Sequence, residues 1–147
     1  MSKRARLIRE DELEQLLSLY QYLNPDDPAL DVGGIEKLWK EILSNPNYFY
    51  LIVEVDGVLV STCNLTTVKN LTRKARPYGL IENVVTHPEH RKKGYGTLVL
   101  RKAVEIAREN NCYKVMLLTS QKDEPTLNFY EKAGFSRGEK TGFIVRM

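Results

Sequence analysis

The sequence predicts an α/β fold, an α+β mixed sheet with helices on its faces. Three observations lead there. Strand-like and helix-like segments follow one another in the order β-α-α-β-β-β-α-β-α-β-β. Asp56-Gly57 sits between two β-branched and aromatic runs and supplies the positive backbone angles of a tight hairpin turn. Lys114 to Thr119 is short and strongly apolar, the pattern of a strand buried on both faces.

Each element has its own warrant. Arg4 to Arg9 reads as a first strand, charged at its edges. Asp11 to Leu23 reads as a helix, because Leu13, Leu16, Leu17 and Tyr20 recur on one face. Asn24-Pro25-Asp26-Asp27-Pro28 stops it, since proline lacks the amide proton and restricts its predecessor. Ile35 to Leu43 reads as a second helix with Ile35, Leu38, Trp39 and Ile42 as its apolar face. Tyr48 to Val55 and Val58 to Val68 are the hairpin strands. Lys69 to Arg76 is a basic connection of turn character, and Tyr78 to Thr86 is another strand ended by His87-Pro88. A long helix runs from about Tyr95 to Asn110, with Val99, Ala103, Ile106 and Ala107 on one face. Pro125 to Lys132 reads as a short helix with proline in its first turn, closed by Gly134 in a left-handed cap. Phe135 to Ser136 and Phe143 to Arg146 are expected to form a last hairpin around Gly138 and Gly142.

Composition narrows the function. A length of 147 residues fits one domain over the whole chain. Apolar residues make up 42% and charged residues 28%, as in ordinary globular proteins. A net charge of +3 is too small to argue for a nucleic-acid partner. No apolar run approaches the roughly 18 residues of a membrane span, and MSKRARLIRED turns charged before a signal core forms, so a cytoplasmic location without membrane attachment is expected. Cys63 and Cys112 make no CxxC pair and no metal framework; they read as small buried or half-buried residues of a reducing compartment. His87 and His90 have ligand-like spacing, but Pro88 disfavours a helix there, and a surface loop with no metal is expected.

The chemistry is concentrated between Val84 and Ala107, where a strand ends, a basic glycine-bearing turn follows and a long helix begins. The first turn of a helix presents unpaired amides and partial positive charge, which makes an anion site. Gly94 and Gly96 leave room for phosphate oxygens, and Arg91, Lys92 and Lys93 add charge at the mouth. The Lys and Ser or Thr of a P-loop are missing. The third glycine of a dinucleotide fingerprint is replaced by Val99.

Arg91-x-x-Gly94-x-Gly96 resembles the signature of the GNAT superfamily of N-acetyltransferases. Glu82-Asn83-Val84-Val85-Thr86-His87-Pro88 is similar to the strand that precedes that signature. Asn128-Phe129-Tyr130-Glu131-Lys132-Ala133-Gly134-Phe135 resembles the second conserved segment at the expected distance. The resemblance is strong over about residues 78 to 136. It implies a sheet in which two parallel strands, Tyr78–Thr86 and Lys114–Thr119, splay to admit acetyl-CoA as cosubstrate, with no metal. It implies that Val84, Val85 and Thr86 offer a backbone edge to the pantetheine arm, in the manner of an added strand. The amides of Arg91, Lys92, Lys93, Gly94, Tyr95, Gly96 and Thr97 would take the pyrophosphate, and Asn128 would contact the cosubstrate.

The implied reaction is direct attack of a primary amine on the thioester in a ternary complex, the acceptor being a small-molecule or peptide amine. The Val85 amide is the implied donor to the thioester oxygen. Tyr130 is the implied general acid to the leaving thiolate, and Glu82 the implied base. Glu82 shares strand parity with Val84 and Thr86, so all three are expected on one side of the sheet. Two plainer readings stay open: Tyr130 as a packed core aromatic, and Glu82 as a partner of Arg73 or Arg76. Arg73, Lys74 and Arg76 read as a solvated loop, while Asp26, Asp27 and Asp31 could draw a cationic amine toward the acceptor side. A non-catalytic acyl-CoA sensor is the competing function, disfavoured by the presence of both Tyr130 and Glu82. Members of the superfamily often dimerise, so a homodimer is compatible with the resemblance.

Overall fold

The alternating apolar segments assemble into a five-stranded sheet in the order β1 (Ala5–Leu7), β2 (Tyr48–Val55), β3 (Val58–Val68), β4 (Tyr78–Thr86), β5 (Val115–Leu117). The computed structural model describes residues 3–147; Met1 and Ser2, which open the charged N-terminal stretch, lie outside the described residues. The first three strand pairings are antiparallel and β4–β5 is parallel, so the expected mixed sheet is observed. The β2–β3 turn is the expected one: Asp56 and Gly57 both take positive φ, 50° and 81°. That pair of angles matches the twist of the flanking strands.

Helices cover both faces. On one face lie α1 (Leu13–Leu23), preceded by a 3-10 turn at Glu10–Glu12, and α2 (Val32–Ser44). Leu13, Leu16, Leu19 and Trp39 pack there with Ile52, Leu59 and Val85. On the other face, α4 (Tyr95–Glu109) buries Val99, Leu100, Ala103, Ile106 and Ala107 against Leu51, Val53, Cys63, Leu65 and Ile81. Burying each such aliphatic side chain is worth about 1.5–3 kcal/mol. Helix α5 (Glu124–Lys132) adds Phe129 and Tyr130 to the same cluster. Between β3 and β4, α3 (Thr72–Ala75) is one left-handed turn, with φ of 54°, 60° and 60° at Arg73, Lys74 and Ala75.

Several expectations need correction. Helix α2 starts at Val32, because Asp31 caps it by accepting a hydrogen bond from the Gly33 amide at 3.2 Å. Leu38 is 54% exposed; Val32, Ile35, Trp39, Ile42 and Leu43 form the packed face instead. Strand β1 is three residues, not six, and pairs with Leu51–Val53. Strand β5 is also three residues and half-buried, not buried on both faces, because it is the last strand of the sheet.

The largest departure is at the C-terminus. Gly134 does close α5 in the left-handed region, at φ 106°, and the Phe135 amide donates to the Tyr130 carbonyl. The expected hairpin beyond it is absent among the described residues. Phe135 packs against the core, and Arg137 bonds Glu124 and Glu131 on α5, which holds the start of the tail against that helix and away from the sheet. Residues 143–145 are left in solvent. No helix among the described residues is long and apolar enough to cross a membrane.

Candidate functional site

Strand β4 positions the site. Its parallel pairing with β5 runs only from Gly79↔Val115 to Ile81↔Leu117. Beyond Ile81, β4 continues to Thr86 with β3 as its only partner among the described residues. The parallel pairing stops where β5 ends at Leu117, and Glu82 to Thr86 are left with a backbone edge unpaired on that side among the described residues.

Asn83 breaks this strand. Its φ is +54°, and the register with β3 shifts between Thr62 and Asn64. Asparagine tolerates that left-handed angle better than a β-branched residue does. An extra residue in one strand inverts the side-chain alternation beyond it. Ile81 and Val85 would share a face in a regular strand, yet Ile81 packs under α4 and Val85 under α1 and α2. Val84 packs on the α4 side, and Thr86 is tied there too, through Ser61 Oγ at 2.8 Å. The expected common side for Glu82, Val84 and Thr86 is thus corrected. Glu82 shares the α1–α2 face with Val85, opposite Val84 and Thr86.

Glu82 is exposed, and among the described residues it makes no ion pair. The reading of Glu82 as a partner of Arg73 or Arg76 is not met. Arg76 donates to the carbonyls of Asn111 and Cys112, and Arg73 lies over the Tyr113 ring at 5.6 Å. Opposite Glu82 on β3 is Asn64. The Asn64 Oδ1 and the Tyr20 hydroxyl are buried without a hydrogen-bond partner. Burial raises the pKa of the Tyr20 phenol strongly, and raises that of Tyr50, which the Asn64 side chain opposes. This polar patch beside Glu82 was not read from the sequence; the signal was an amide in a strand otherwise built of small, β-branched and aliphatic residues.

The glycine turn follows β4. His87 caps a 3-10 turn at Pro88–His90, accepting from the Glu89 amide at Nδ1. With Nδ1 accepting, Nε2 carries the proton and donates to the Tyr22 hydroxyl at 3.1 Å. The two histidines sit in this turn as expected, and no group of three or more metal-ligating side chains occurs among the described residues. Arg91, expected only to supply charge, also donates from Nε to the Thr86 carbonyl at 3.1 Å, tying the turn to β4. Lys92 and Gly94 take positive φ, 62° and 86°, and Arg91 to Gly94 are exposed. No side chain caps α4, whose N-cap is Gly94. The amides at its start are free to meet an anion, as in backbone nests.

The two glycines do different work. A Cβ on Gly94 would meet nothing within 4 Å. A Cβ on Gly96 would lie 2.8 Å from Phe129 Cζ and 3.4 Å from Thr86 Oγ1. Gly96 is buried, so its missing side chain admits an α5 ring, where the sequence reading had it admit phosphate. Tyr95 and Thr97 are half-buried at the helix start.

Helix α5 carries Tyr130, half-buried against the α4-side core and edge-on to Phe129 at 5.0 Å. Burial raises the Tyr130 phenol above its usual pKa, with nearby Cys63 adding to the effect. Among the described residues its hydroxyl makes no side-chain hydrogen bond. Asn128 is exposed on the same helix. Cys63 is fully buried and its thiol is pushed up to about 12 by desolvation, which leaves it no nucleophile; Cys112 is raised for the same reason.

Comparison with known proteins fits this geometry. The profile of the acetyltransferase (GNAT) family matches residues 11–135. Glucosamine 6-phosphate N-acetyltransferase of Trypanosoma brucei brucei is 39% identical over 137 residues, covering 92% of this chain and 90% of its own. The enzyme of the same name from Candida albicans is 30% identical over 80% of this chain and 82% of its own. A solved structure from Agrobacterium tumefaciens str. C58, assigned there as an acetyltransferase, is 44% identical with a TM-score of 0.92 over 100% of both chains.

Proposed function

The chain belongs to the acetyltransferase (GNAT) family and is an acetyl-transferring enzyme; on that premise we propose that it moves the acetyl group of acetyl-CoA directly to a primary amine, glucosamine 6-phosphate being the first candidate acceptor. The observation that carries the donor assignment is the free β4 edge at Glu82–Thr86 running into the uncapped start of α4. An extended pantetheine arm can hydrogen-bond along such an edge. The pyrophosphate then meets the amides of Arg91 to Thr97, with Lys92 and Lys93 exposed beside it. Asn128, exposed on α5, contacts the same arm.

Each residue has one task in this reading. The Val85 amide donates to the thioester oxygen as it gains charge. Glu82, on the α1–α2 face, takes the proton from the ammonium form of the acceptor, directly or through water; an alkyl amine with a pKa of about 10.4 is otherwise charged at neutral pH. The nitrogen lone pair forms the C–N bond as the C–S bond breaks, and the nitrogen then sheds its second proton to solvent, from which Tyr130 is reprotonated. Tyr130 gives its phenolic proton to the departing thiolate. The acceptor is therefore placed on the α1–α2 side, next to Glu82, Asn64 and Tyr22. The whole chain acts as one acetyltransferase domain, without a metal, in the cytoplasm.

The acceptor assignment draws on the two relatives named glucosamine 6-phosphate N-acetyltransferases, which match most of this chain. It is tested by thiol release from acetyl-CoA against a panel of amines: glucosamine 6-phosphate, glucosamine, polyamines, amino acids and peptide N-termini. Glucosamine 6-phosphate should give the largest kcat/KM. Acetyl-CoA binding without thiol release for any amine would favour the sensor function instead.

A further inference from the structure

We propose that Asn64 and Tyr20 select the acceptor: together they bind a hydroxyl on the carbon next to the one carrying the reactive amine, so that the acceptor class is vicinal amino alcohols, amino sugars among them. The inference rests on the acetyl transfer proposed above and names the residues that read the acceptor at that same site.

Strand register brings the residues together. Asn64 on β3 is the direct partner of Tyr50 on β2 and of Glu82 on β4. Directly paired residues send their side chains to one face of a sheet, so the three form a row on the α1–α2 face. Helix α1 lies over that face, and its Tyr20 packs on the same cluster as Tyr50. The row grades from apolar cover to water. Tyr50 sits edge-on to Trp39 at 5.7 Å, Asn64 is half-buried, and Glu82 is exposed.

Three side-chain polar atoms among the described residues are buried without a hydrogen-bond partner, and two of them, Asn64 Oδ1 and the Tyr20 hydroxyl, belong to this face. The third, His90 Nδ1, is in the turn after β4. An unpaired buried donor or acceptor destabilises the fold. Two of them beside an exposed carboxylate are accounted for by a partner that arrives with the acceptor.

Hydrogen-bond polarity identifies that partner. A carboxylate and an amide oxygen only accept, so Glu82 and Asn64 Oδ1 both call for donors, on neighbouring strands about 5 Å apart. The ammonium of the acceptor serves Glu82. The Tyr20 phenol, whose pKa burial raises strongly, keeps its proton and can give it. The group at Asn64 must then donate to Oδ1 and accept from Tyr20. A hydroxyl does both. A second ammonium has no lone pair for Tyr20, which disfavours diamines and polyamines, and a methylene satisfies neither atom. Because Asn64 and Glu82 are adjacent in the row, the hydroxyl belongs on the carbon adjacent to the one that carries the nitrogen.

Thiol release from acetyl-CoA tests this with trans-2-aminocyclohexanol against cyclohexylamine, and with glucosamine 6-phosphate against its 1-deoxy and 3-deoxy analogues. The wild type should favour the amino alcohol over cyclohexylamine by roughly 10- to 100-fold in kcat/KM, and lose as much with one of the two deoxy sugars. Tyr20→Phe and Asn64→Leu should each cut that preference about tenfold, by slowing the amino alcohol and not the bare amine. Tyr20→Phe should keep or raise the melting temperature, because it deletes an atom without a partner, whereas loss of a structural hydroxyl would lower it. A wild type indifferent to the hydroxyl, or a preference unchanged in Tyr20→Phe, overturns the subsite. Thiol release confined to amines without a vicinal hydroxyl, such as polyamines, also overturns the subsite and leaves the transferase standing. Acetyl-CoA binding with no release for any amine overturns the transferase reading and the subsite with it. If Asn64→Leu unfolds, Tyr20→Phe alone decides.

Discussion

Phe129 occupies the space that a side chain on Gly96 would need, its Cζ 2.8 Å from the position of the missing Cβ. The contact joins the start of α4 to α5, and so joins the glycine turn to the helix that carries Tyr130. The ring is itself packed in the core and cannot swing away freely. Gly96→Ala is therefore expected to destabilise the fold by about 1–3 kcal/mol, the usual cost of overpacking. In a chain of this size that lowers the melting temperature by roughly 2–4 °C per kcal/mol. The pair Gly96→Ala with Phe129→Leu should recover part of the loss. Thermal unfolding of the two variants checks this, and a single variant as stable as the wild type would sink the packing argument.

Tyr130 is predicted to act as the acid, and its environment sets the pH behaviour. Burial raises the phenol pKa, so Tyr130 stays protonated up to and beyond its ordinary value of about 10. Activity should rise with pH as the acceptor amine loses its proton, with no loss from Tyr130 below about pH 10. Tyr130→Phe keeps the ring and removes the proton. Its kcat should fall by about 100-fold or more, the ordinary scale for general acid catalysis, while the Kd for acetyl-CoA changes little. Stopped-flow thiol release with parallel acetyl-CoA titration separates the two. An unchanged kcat would return Tyr130 to a packing role.

Much of this architecture was legible in local patterns. The Asp56-Gly57 turn, the bounds of β4 and the left-handed Gly134 cap follow from residues that have few alternative conformations. The polarity of Asn83 also stood in plain view, but its consequence did not. A bulge is a relation between two strands, and period-two reasoning along β4 alone put Glu82 on one side with Val84 and Thr86. Gly96 was misread for the same kind of reason. Its missing side chain is explained by Phe129, thirty-three positions away and on another helix. The tail shows a third limit. The strand expected at Phe143–Arg146 is absent, since among the described residues Phe143, Ile144 and Val145 stand in solvent with no strand beside them.

The bulge carries the next prediction. Asn83→Val forces a β-branched residue to φ 54°, which costs roughly 1–2 kcal/mol or drives the strand to expel the bulge. Expulsion would restore regular alternation, put Glu82 on the same side as Val84 and Thr86, and undo its shared face with Val85. Asn83→Val should thus lose kcat/KM about as severely as Glu82→Gln, whereas Asn83→Gly should keep most activity. Rates for the three variants with the best acceptor amine test the link. Equal activity in Asn83→Val and wild type would show that the side occupied by Glu82 does not matter to the reaction.

Far from the site, Glu12 sets the acid limit of the fold. Its carboxylate is 3% exposed and takes a bidentate pair from Arg6 at 2.9 and 2.8 Å, the Arg9 amide at 2.8 Å and the Arg9 guanidinium at 3.3 Å. The hydrogen bonds from Arg6, with the Arg9 amide and the two charges, hold its pKa below the usual carboxylate value despite burial. The unfolded chain lacks these partners, so its Glu12 binds a proton first as pH falls. The stabilisation is therefore complete above about pH 4.3, the unfolded value, and is lost as pH falls through the lower folded one. Glu12→Gln keeps the shape but removes the charge, at an expected cost of about 1.5–3 kcal/mol near neutrality. The gap between wild type and Glu12→Gln in urea unfolding should shrink between pH 5 and pH 2, estimated as roughly the interval over which such a carboxylate titrates. A gap that stays constant across that range would mean that packing at the foot of α1, and not the charge of Glu12, accounts for the difference.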